Sequence, residues 1–120
     1  DHPNILRPIC YHRETGKSRR PGLMMEFVAG QRSSEWAVGA TREELQSFVV
    51  QLVTLVEYIH FLGYVHADIK IENLMVDRSR DNLLIAIDFG FTTLTAAAKP
   101  GRGTPSTCAP ELYAKVPGQI

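Results

Sequence analysis

Two stretches of apolar and β-branched residues near the start of the chain predict strands. Residues 4–14, NILRPICYHRE, and residues 23–28, LMMEFV, have the composition that favours extended structure, although Pro8 weakens the first stretch. Residues 15–22 between them combine glycine, proline, serine and charged side chains, which is typical of a turn. We therefore predict that these two strands form a hairpin.

A spacing of three to four residues between apolar positions then predicts one long helix from Thr41 to Leu62. Thr41 and Glu44 have the spacing of a capping box, in which each side chain satisfies a backbone N–H at the helix start. Gly63 follows where a left-handed residue often ends a helix. We interpret residues 29–40 before this helix as a connector of small residues. We interpret its apolar stripe as core; the members are Leu45, Phe48, Val49, Leu52, Val53, Leu55, Val56 and Ile59.

Two further apolar runs, residues 74–76 and 83–87, predict a second hairpin. The six residues between them, DRSRDN, are typical of a turn. Residues 92–105 contain small residues, glycines and prolines, so we predict a loop there, followed by a short helix over residues 109–115. One long helix together with two hairpins predicts an α+β fold.

The composition of the chain excludes several classes of function. Thirteen basic and thirteen acidic side chains cancel, so no overall charge favours nucleic acid or an anionic membrane as a partner. No apolar run reaches the ~18 residues of a membrane span, and the sequence shows no signal peptide. The spacing of Cys10 and Cys108 favours free thiols over a disulfide framework or a metal-ligand pair. We therefore expect one domain in an intracellular, cytoplasmic protein.

The polar residues of the segment YVHADIKIENLMV, residues 64–76, predict a site for phosphoryl transfer. Asp68 and Asn73 lie five positions apart on one loop, and the second hairpin should return Asp88 beside that loop. A carboxylate and an amide oxygen suit Mg²⁺, a hard cation that prefers oxygen ligands. A second carboxylate that does not bind the metal can act as a base. Lys70 adds a positive charge, so metal, lysine and base together suit the transfer of a phosphoryl group.

Three motifs, in order along the chain, resemble those of the eukaryotic-type protein kinase superfamily. HADIKIEN at residues 66–73 resembles the catalytic loop, DFG at residues 88–90 the metal-binding motif, and APE at residues 109–111 the end of the activation segment. The resemblance implies a partial protein-kinase-like fold with two amino-lobe strands, a hinge, a long helix, the catalytic loop and the activation segment. Residues 1–28 would end the amino lobe and hinge, and residues 29–120 would form the front of the carboxy lobe.

The resemblance also implies ATP and Mg²⁺ as cofactors, and it implies roles for individual residues. Asp68 would be the catalytic base and Lys70 the lysine that contacts phosphate, while Asn73 and Asp88 would bind Mg²⁺. The other implied positions are the gatekeeper Met25, the hinge residues Glu26 and Val28, the adenine floor Met75, the stacked residues His66 and Phe89, and the activation-segment residues Phe91, Thr104 and Glu111.

Two features of the chain resemble Ser/Thr kinases more than Tyr kinases. One is Lys70, and the other is the segment GTPSTCAPE, residues 103–111, in which Thr104 would bond Asp68 and Lys70. The expected partner is therefore a protein substrate. Phe91, the bulky residue after DFG, implies a preference for serine over threonine, because a large ring leaves less room for the additional methyl group.

The chain departs from the kinase pattern in ways that leave other functions open. Ala67 stands where the family usually has Arg, and neither a Gly-rich loop nor the usual strand-three lysine is found. We therefore expect the middle of a kinase domain, as a fragment or a truncated remnant, which transfers no phosphate by itself. A pseudokinase-like binding module is one alternative. A small-molecule phosphotransferase of the aminoglycoside or choline kinase type is another, since it shares the H-x-D-x-x-x-x-N pattern.

Overall fold

The computed structural model describes residues 2–13, 20–98 and 103–109. Within these residues, two α-helices lie among seven short strands, and 3-10 turns occur at Ile71–Asn73, Arg78–Arg80 and Thr95–Ala97. In chain order the elements are β1 Pro8–His12, β2 Gly22–Met25, β3 Gln31–Arg32, α1 Ser33–Val38, α2 Arg42–Phe61, β4 Tyr64–Val65, β5 Leu74–Asp77, β6 Leu83–Ala86 and β7 Thr93–Leu94. The predicted α+β class is confirmed.

The long predicted helix is α2, and it begins where the capping box places it. The Thr41 side chain accepts the backbone N–H of Glu44 at 3.2 Å, and the Glu44 carboxylate accepts the backbone N–H of Thr41 at 2.8 Å. Two N–H groups that have no partner inside the helix are thereby satisfied. Beyond the other end, Gly63 has φ +79°, a left-handed conformation that glycine adopts without the steric cost of a Cβ.

Only part of the apolar stripe of α2 is core. Leu55 and Ile59 are buried, and Phe48 packs against their cluster. The interpretation of the whole stripe as core was wrong, because only the face toward the sheet is covered by described residues. The exposed members are Leu45, Val49 and Val53.

Among the described residues, no helix is both long and apolar enough to cross a membrane.

Residues 29–40 are not the connector that their small side chains suggested, since they contain β3 and α1. Trp36 on α1 is buried, its ring stacks on Phe48 of α2 at a centroid distance of 5.4 Å, and its indole N–H donates to Asn82 Oδ1 at 3.1 Å. One large side chain thus docks the short helix against α2 and the turn before β6. Packing of this kind can stabilise six helical residues that would be marginal alone.

Both predicted hairpins are present. β1 pairs antiparallel with β2, with a register shift between Pro8 and Cys10. β5 pairs antiparallel with β6 over four residues, and β3 adds to the free edge of β5, so this sheet has the order β3-β5-β6. β5 is therefore the central strand of a three-stranded sheet.

The region predicted as a loop after the second hairpin contains β7, which pairs with β4 next to the end of α2. The Thr95 backbone N–H donates to the carbonyl of Gly63 at 2.9 Å, which fixes the same region again. The four residues of these two strands are too few to give a periodic signal, so this pairing was not predicted from the sequence. The short helix predicted over residues 109–115 lies outside the described residues, except for Ala109.

Two apolar clusters enclose the β5–β6 hairpin from its two faces. The first packs against α2, and the second lies on the side of the hairpin strands β1 and β2. Because side chains alternate across a strand, Leu84 enters the first cluster and Ile85 the second. The buried members of the first are Leu55, Ile59, Leu74, Leu84 and Ala86; those of the second are Leu6, Val28 and Ile85. The ends of this buried hairpin are the places where the predicted site residues lie.

Candidate active site

The segment between β4 and β5 forms the loop that holds the predicted catalytic residues. Ala67 lies in this loop with φ 64°, in the left-handed region that side chains other than glycine adopt uncommonly. The 3-10 turn Ile71–Asn73 then leads the chain into β5. The buried Ser33 of α1 donates its hydroxyl to the Ile71 carbonyl at 2.7 Å, so α1 fixes this turn from outside the loop.

Asp68 is the most strongly bonded side chain of the loop and is only 5% exposed. Its Oδ2 accepts the Asn73 side-chain amide at 3.0 Å and lies 3.2 Å from the ammonium of Lys70. Burial alone would raise the pKa of the Asp68 carboxyl, but hydrogen bonds from Thr104, Lys70 and Asn73 together hold this pKa below its usual value. Asp68 is therefore a carboxylate at neutral pH and can accept a proton.

Thr104 makes the contacts that the resemblance implied for it. Its backbone N–H and its hydroxyl donate to Asp68 Oδ1 at 2.9 and 2.6 Å, and its hydroxyl accepts from the Lys70 ammonium at 2.7 Å. Asp68, Lys70 and Thr104 thus form one closed set of hydrogen bonds across 36 positions of sequence between the first and the last. The activation segment is joined to the catalytic loop at this point.

Gly103 is a site residue that sequence reasoning missed. It has φ +99°, and a Cβ on it would clash with the carbonyl oxygen of Ala67. Glycine is therefore required at this position for two reasons: the positive φ of its backbone and the close approach of two backbone segments. The signal in the sequence was the glycine itself, directly before Thr104, but its contact with Ala67 could be found only in the tertiary structure.

Asn73 directly precedes β5 and Asp88 follows β6, so both predicted metal ligands lie at the open end of the β5–β6 hairpin. The backbone N–H of Ile87, next to Asp88, donates to the carbonyl of Asn73 at 3.0 Å. The Asn73 amide nitrogen donates to the backbone carbonyl of Asp68 at 2.9 Å and to its carboxylate, which leaves the amide oxygen available. Asp88 is exposed, and its Oδ1 accepts the Gly90 N–H at 2.9 Å, which leaves Oδ2 available.

These two oxygens fit Mg²⁺, which takes one or two protein ligands and completes its coordination with phosphate and water. A cluster of three or more His, Cys, Asp and Glu side chains that could hold a metal does not occur in the described part of the chain. The amide oxygen of Asn73 and the Asp88 carboxylate are thus the donor pair that suits this cation.

His66 and Phe89 contact each other, as the resemblance implied. Their ring centroids are 5.0 Å apart, with the rings tilted by 54°. The Asp68 backbone N–H donates to His66 Nδ1 at 3.3 Å, while His66 Nε2 is buried without a partner among the described residues. Burial lowers the pKa of His66, although the Asp68 and Asp88 carboxylates oppose this effect. His66 is therefore a neutral core side chain that joins the loop to the segment after β6.

An open cleft lies between the β1–β2 hairpin and the segment after β6. Met25, the predicted gatekeeper, lines this cleft together with Asp88 and Phe89, so the predicted adenine side and the predicted metal side share one space of about 520 Å³. The remaining lining residues are Ile5, Leu6, Pro8, Leu23, Ile87 and Gly90. The cleft is mostly apolar, with one carboxylate at its edge, which is the usual chemistry of a ligand site.

The other predicted adenine residues, Glu26, Val28 and Met75, do not line this cleft, and each has a contact of its own. Val28 is buried beside Leu6, and Met75 packs against the same cluster. The Glu26 backbone N–H donates to the carbonyl of Arg7 at 3.0 Å, and its carboxylate accepts the Arg7 backbone N–H at 3.1 Å. The carbonyl of Glu26 and the backbone of Val28 have no hydrogen bond within residues 2–13, 20–98 and 103–109 and remain predicted ligand contacts.

Two predicted activation-segment residues are not brought into the site. Phe91 is 44% exposed and does not line the cleft. Glu111 lies outside the described residues. The roles given to these two residues stay predictions.

Comparison with known proteins gives one family. The sequence model of the family described as "Protein kinase domain" matches residues 1–118. CBL-interacting protein kinase 25 of Oryza sativa subsp. japonica is 36% identical over 126 residues, which cover 93% of this chain and 24% of that protein. Serine/threonine-protein kinase SRK2J of Arabidopsis thaliana is 34% identical over 121 residues, which cover 96% of this chain and 35% of that protein. The chain thus spans about a quarter to a third of the length of these relatives.

A solved structure shows the same fold. The Cydia pomonella granulovirus kinase PK-1 superposes on this chain with a TM-score of 0.77. The matched region covers 91% of this chain and 40% of the viral kinase chain. The two sequences are 23% identical over this match, so the likeness concerns the fold alone.

Proposed function

The chain belongs to the protein kinase domain family, and on that premise we propose that the full-length protein transfers the γ-phosphate of ATP to hydroxyl groups of protein substrates. The observation that supports this proposal is the set of hydrogen bonds among Asp68, Lys70 and Thr104. It combines an ionised carboxylate, a lysine and a hydroxyl in one place. Phosphoryl transfer depends on such positioned charges more than on covalent chemistry by the protein.

Asp68 is proposed to orient the substrate hydroxyl and to accept its proton. The carboxylate is suited to this role because it is ionised and because three neighbours fix its two oxygens. The Lys70 ammonium lies 3.2 Å from that carboxylate and would stabilise the negative charge on the oxygens of the transferred phosphoryl group. Thr104 in the described structure bonds both residues, so it holds the base and the lysine in one geometry.

ATP and Mg²⁺ are the proposed cofactors. Mg²⁺ held by the Asn73 amide oxygen and the Asp88 carboxylate would supply neutralisation of the ATP phosphates. Asn73 is fixed for this task, because its amide nitrogen is used by Asp68 and only its oxygen is left. For the adenine, Met25 would close the back of the cleft, the backbones of Glu26 and Val28 would bond the ring, and Met75 would lie beneath it.

The proposed acceptor is serine in preference to threonine. The named relatives are described as protein kinases, and one of them as a serine/threonine-protein kinase. The hydrogen bond from Lys70 to Thr104 supports the Ser/Thr class for this chain, and Phe91 after DFG supports a preference for serine.

The two free cysteines, Cys10 and Cys108, support our proposal of a reducing, cytoplasmic location.

The test is phosphate transfer by the full-length protein expressed from its gene. Paired peptides that differ only in Ser or Thr are incubated with Mg²⁺ and labelled ATP, and the transferred label is counted for wild type, Asp68→Asn and Asp81→Asn. Asp81 is exposed in the turn between β5 and β6, so its variant is the matched control. We expect transfer to both peptides, faster to serine, by wild type and the control. No transfer by wild type at any peptide, with ATP bound, would instead support a pseudokinase-like binding module.

A further inference from the structure

Three side chains with soft metal-binding atoms share one face of the β1–β2 hairpin, away from the proposed active site. Cys10 and His12 are two positions apart on β1, so their side chains point to the same side of the strand. Met24 on β2 lies directly opposite Cys10 in the register, which places it on that face as well. The partner of His12 is Gly22, which has no side chain to fill the space beside the imidazole.

The donor atoms of these residues are already close together. Cys10 Sγ lies 3.9 Å from His12 Nε2 and 3.9 Å from Met24 Sδ. In a trigonal metal site with metal–sulfur bonds of about 2.3 Å and metal–nitrogen bonds of about 2.0 Å, two sulfurs lie about 4.0 Å apart and a sulfur and a nitrogen about 3.7 Å apart. The two distances from Cys10 Sγ are close to these values for ligand pairs around one small ion.

We propose that Cys10, His12 and Met24 form a binding site for a soft monovalent cation, Cu(I). A thiolate, an imidazole and a thioether select Cu(I) over hard cations, because soft donors match a soft, polarisable metal. The thioether decides the choice, since a site for Mg²⁺ or Ca²⁺ would use oxygen ligands instead. The described His, Cys, Asp and Glu side chains by themselves form no group of three that could hold a metal, so the site needs the Met24 thioether as its third donor.

Packing against the described residues does not explain this cluster. All three side chains are exposed within the part of the chain that the structure describes. Met25, the next residue, lines the cleft, which lies on the opposite face of the hairpin because side chains alternate along a strand. The proposed metal site and the cleft are thus separated by the hairpin itself. The site does not depend on the proposed kinase function.

The binding step changes no oxidation state. The Cys10 thiol loses its proton to the solvent and its sulfur bonds the metal, His12 Nε2 and Met24 Sδ each donate a lone pair, and copper stays monovalent. Cys108 offers a comparison, because its thiol donates to the Pro105 carbonyl at 3.6 Å instead of facing soft donor atoms. One cysteine of the chain therefore lies in a soft-ligand cluster, whereas the other is bonded to backbone oxygen.

The experiment is a Cu(I) titration of the purified full-length protein under oxygen-free, reducing conditions. A chromophoric Cu(I) chelator competes for the metal, and X-ray absorption reports the bound atoms. Each ligand variant has a matched control: Met24→Leu with Met25→Leu, Cys10→Ser with Cys108→Ser, and His12→Asn with His60→Asn. Circular dichroism of each variant checks the fold, and Met24→Leu alone suffices if another variant does not fold.

We expect one Cu(I) per chain, bound by two sulfurs and one nitrogen. Loss of an outer hydrogen-bond partner already weakens metal sites 10–100-fold, so each ligand variant should lose about tenfold or more in affinity while its control does not. Equal affinity of Met24→Leu and wild type would overturn the proposal, because a thiol alone would then explain the binding. One copper per two chains, lost on dilution, would also overturn it, since this indicates bridging by Cys10 of two molecules.

Discussion

The two β-hairpins of the molecule are similar in sequence chemistry and opposite in environment. Every residue of β1 and β2 is exposed, including apolar ones such as Ile9 and Leu23. Of the eight residues of β5 and β6, six are buried and two are half-buried. Within the part of the chain that the structure describes, only the β5–β6 hairpin has apolar clusters on both faces. The number of layers packed against the hairpin decides its burial.

The contacts of β6 show how the buried hairpin is held. Its backbone at Ala86 donates to the Asn4 carbonyl at 2.8 Å and accepts from Leu6 at 3.0 Å. The Asn4 amide in turn donates to the Leu84 carbonyl at 2.7 Å and to Gln51 of α2 at 3.0 Å. A buried polar side chain with this many partners fixes the register of three segments at once.

The difference between the hairpins matters for function because the buried hairpin positions the proposed ligands. Asn73 directly precedes β5, and Asp88 follows β6 after one further residue. Their separation is set by a rigid, enclosed unit. The exposed hairpin contributes Met25 to the cleft. We therefore expect changes at the two hairpins to differ in effect. The first two experiments below test this difference, and two more test the segments that support the buried hairpin.

The largest expected effect is on catalysis, at the ends of the buried hairpin. Asp88→Asn in the full-length protein should remove a Mg²⁺ ligand and lower kcat/KM by about a thousandfold or more, with a higher KM for ATP. Asp68→Asn should lower mainly kcat, since the base acts in the transition state. Steady-state kinetics with varied ATP measures both. A large rise in KM for Asp68→Asn with none for Asp88→Asn would reverse the two assignments, and Asp81→Asn is the control.

The next effect is on stability, and one substitution type compares the two hairpins directly. Leu84 on β6 is 0% exposed, whereas Leu23 on β2 is 55% exposed. Leu84→Ala should lower the free energy of unfolding by about 3 kcal/mol, because it leaves a cavity in the core, whereas Leu23→Ala should cost less than about 1 kcal/mol. Urea unfolding followed by circular dichroism gives both values. Equal losses would mean that the exposed hairpin is covered in solution.

A smaller effect concerns the support of the catalytic loop. The buried hydroxyl of Ser33 donates to the carbonyl of Ile71, whereas the neighbouring Ser34 is exposed. Ser33→Ala should lower the free energy of unfolding by about 1 kcal/mol, because it leaves a carbonyl of the loop without this donor. Ser34→Ala should change it by less than about 0.5 kcal/mol. The same urea experiment measures the pair, and a Ser34→Ala loss as large as that of Ser33→Ala would contradict the assignment.

The smallest effect at neutral pH is that of His66, and it grows as the pH falls. The folded pKa of His66 is lowered, mainly by burial, so the unfolded state binds more protons below the ordinary value of about 6.5. The contribution of the neutral His66 to the free energy of unfolding should therefore be fully present above about pH 6.5. The free energy of unfolding should decrease as the pH falls below this value.

Urea unfolding between pH 5 and 7.5 should give a shallower pH dependence for His66→Gln than for wild type. Burial also lowers the pKa of His2, so His2→Gln separates its contribution from that of His66. An unchanged slope in His66→Gln would contradict the buried, neutral histidine.

The sequence by itself determined the features that depend on near neighbours in the chain. The capping box at Thr41, the length of α2 and both hairpins follow from local spacing and turn chemistry, and the structure contains them all. The order of Asp68, Lys70, Asn73 and Asp88 likewise led to the chemistry that we propose for the site. The contact of Thr104 with Asp68 and Lys70 was predicted only from the resemblance to Ser/Thr kinases, because spacing within one sequence does not show which distant residues are in contact.

Only the tertiary structure decided the features that depend on distant partners. Burial of the helix stripe, the helix around Trp36 and the pairing of β4 with β7 depend on surfaces supplied by other segments. Gly103 belongs to the same class, since its need for glycine comes from the carbonyl of Ala67, 36 positions earlier. The physical reason is that spacing along the chain fixes which face a side chain occupies, whereas packing and backbone approach depend on which segment lies opposite that face.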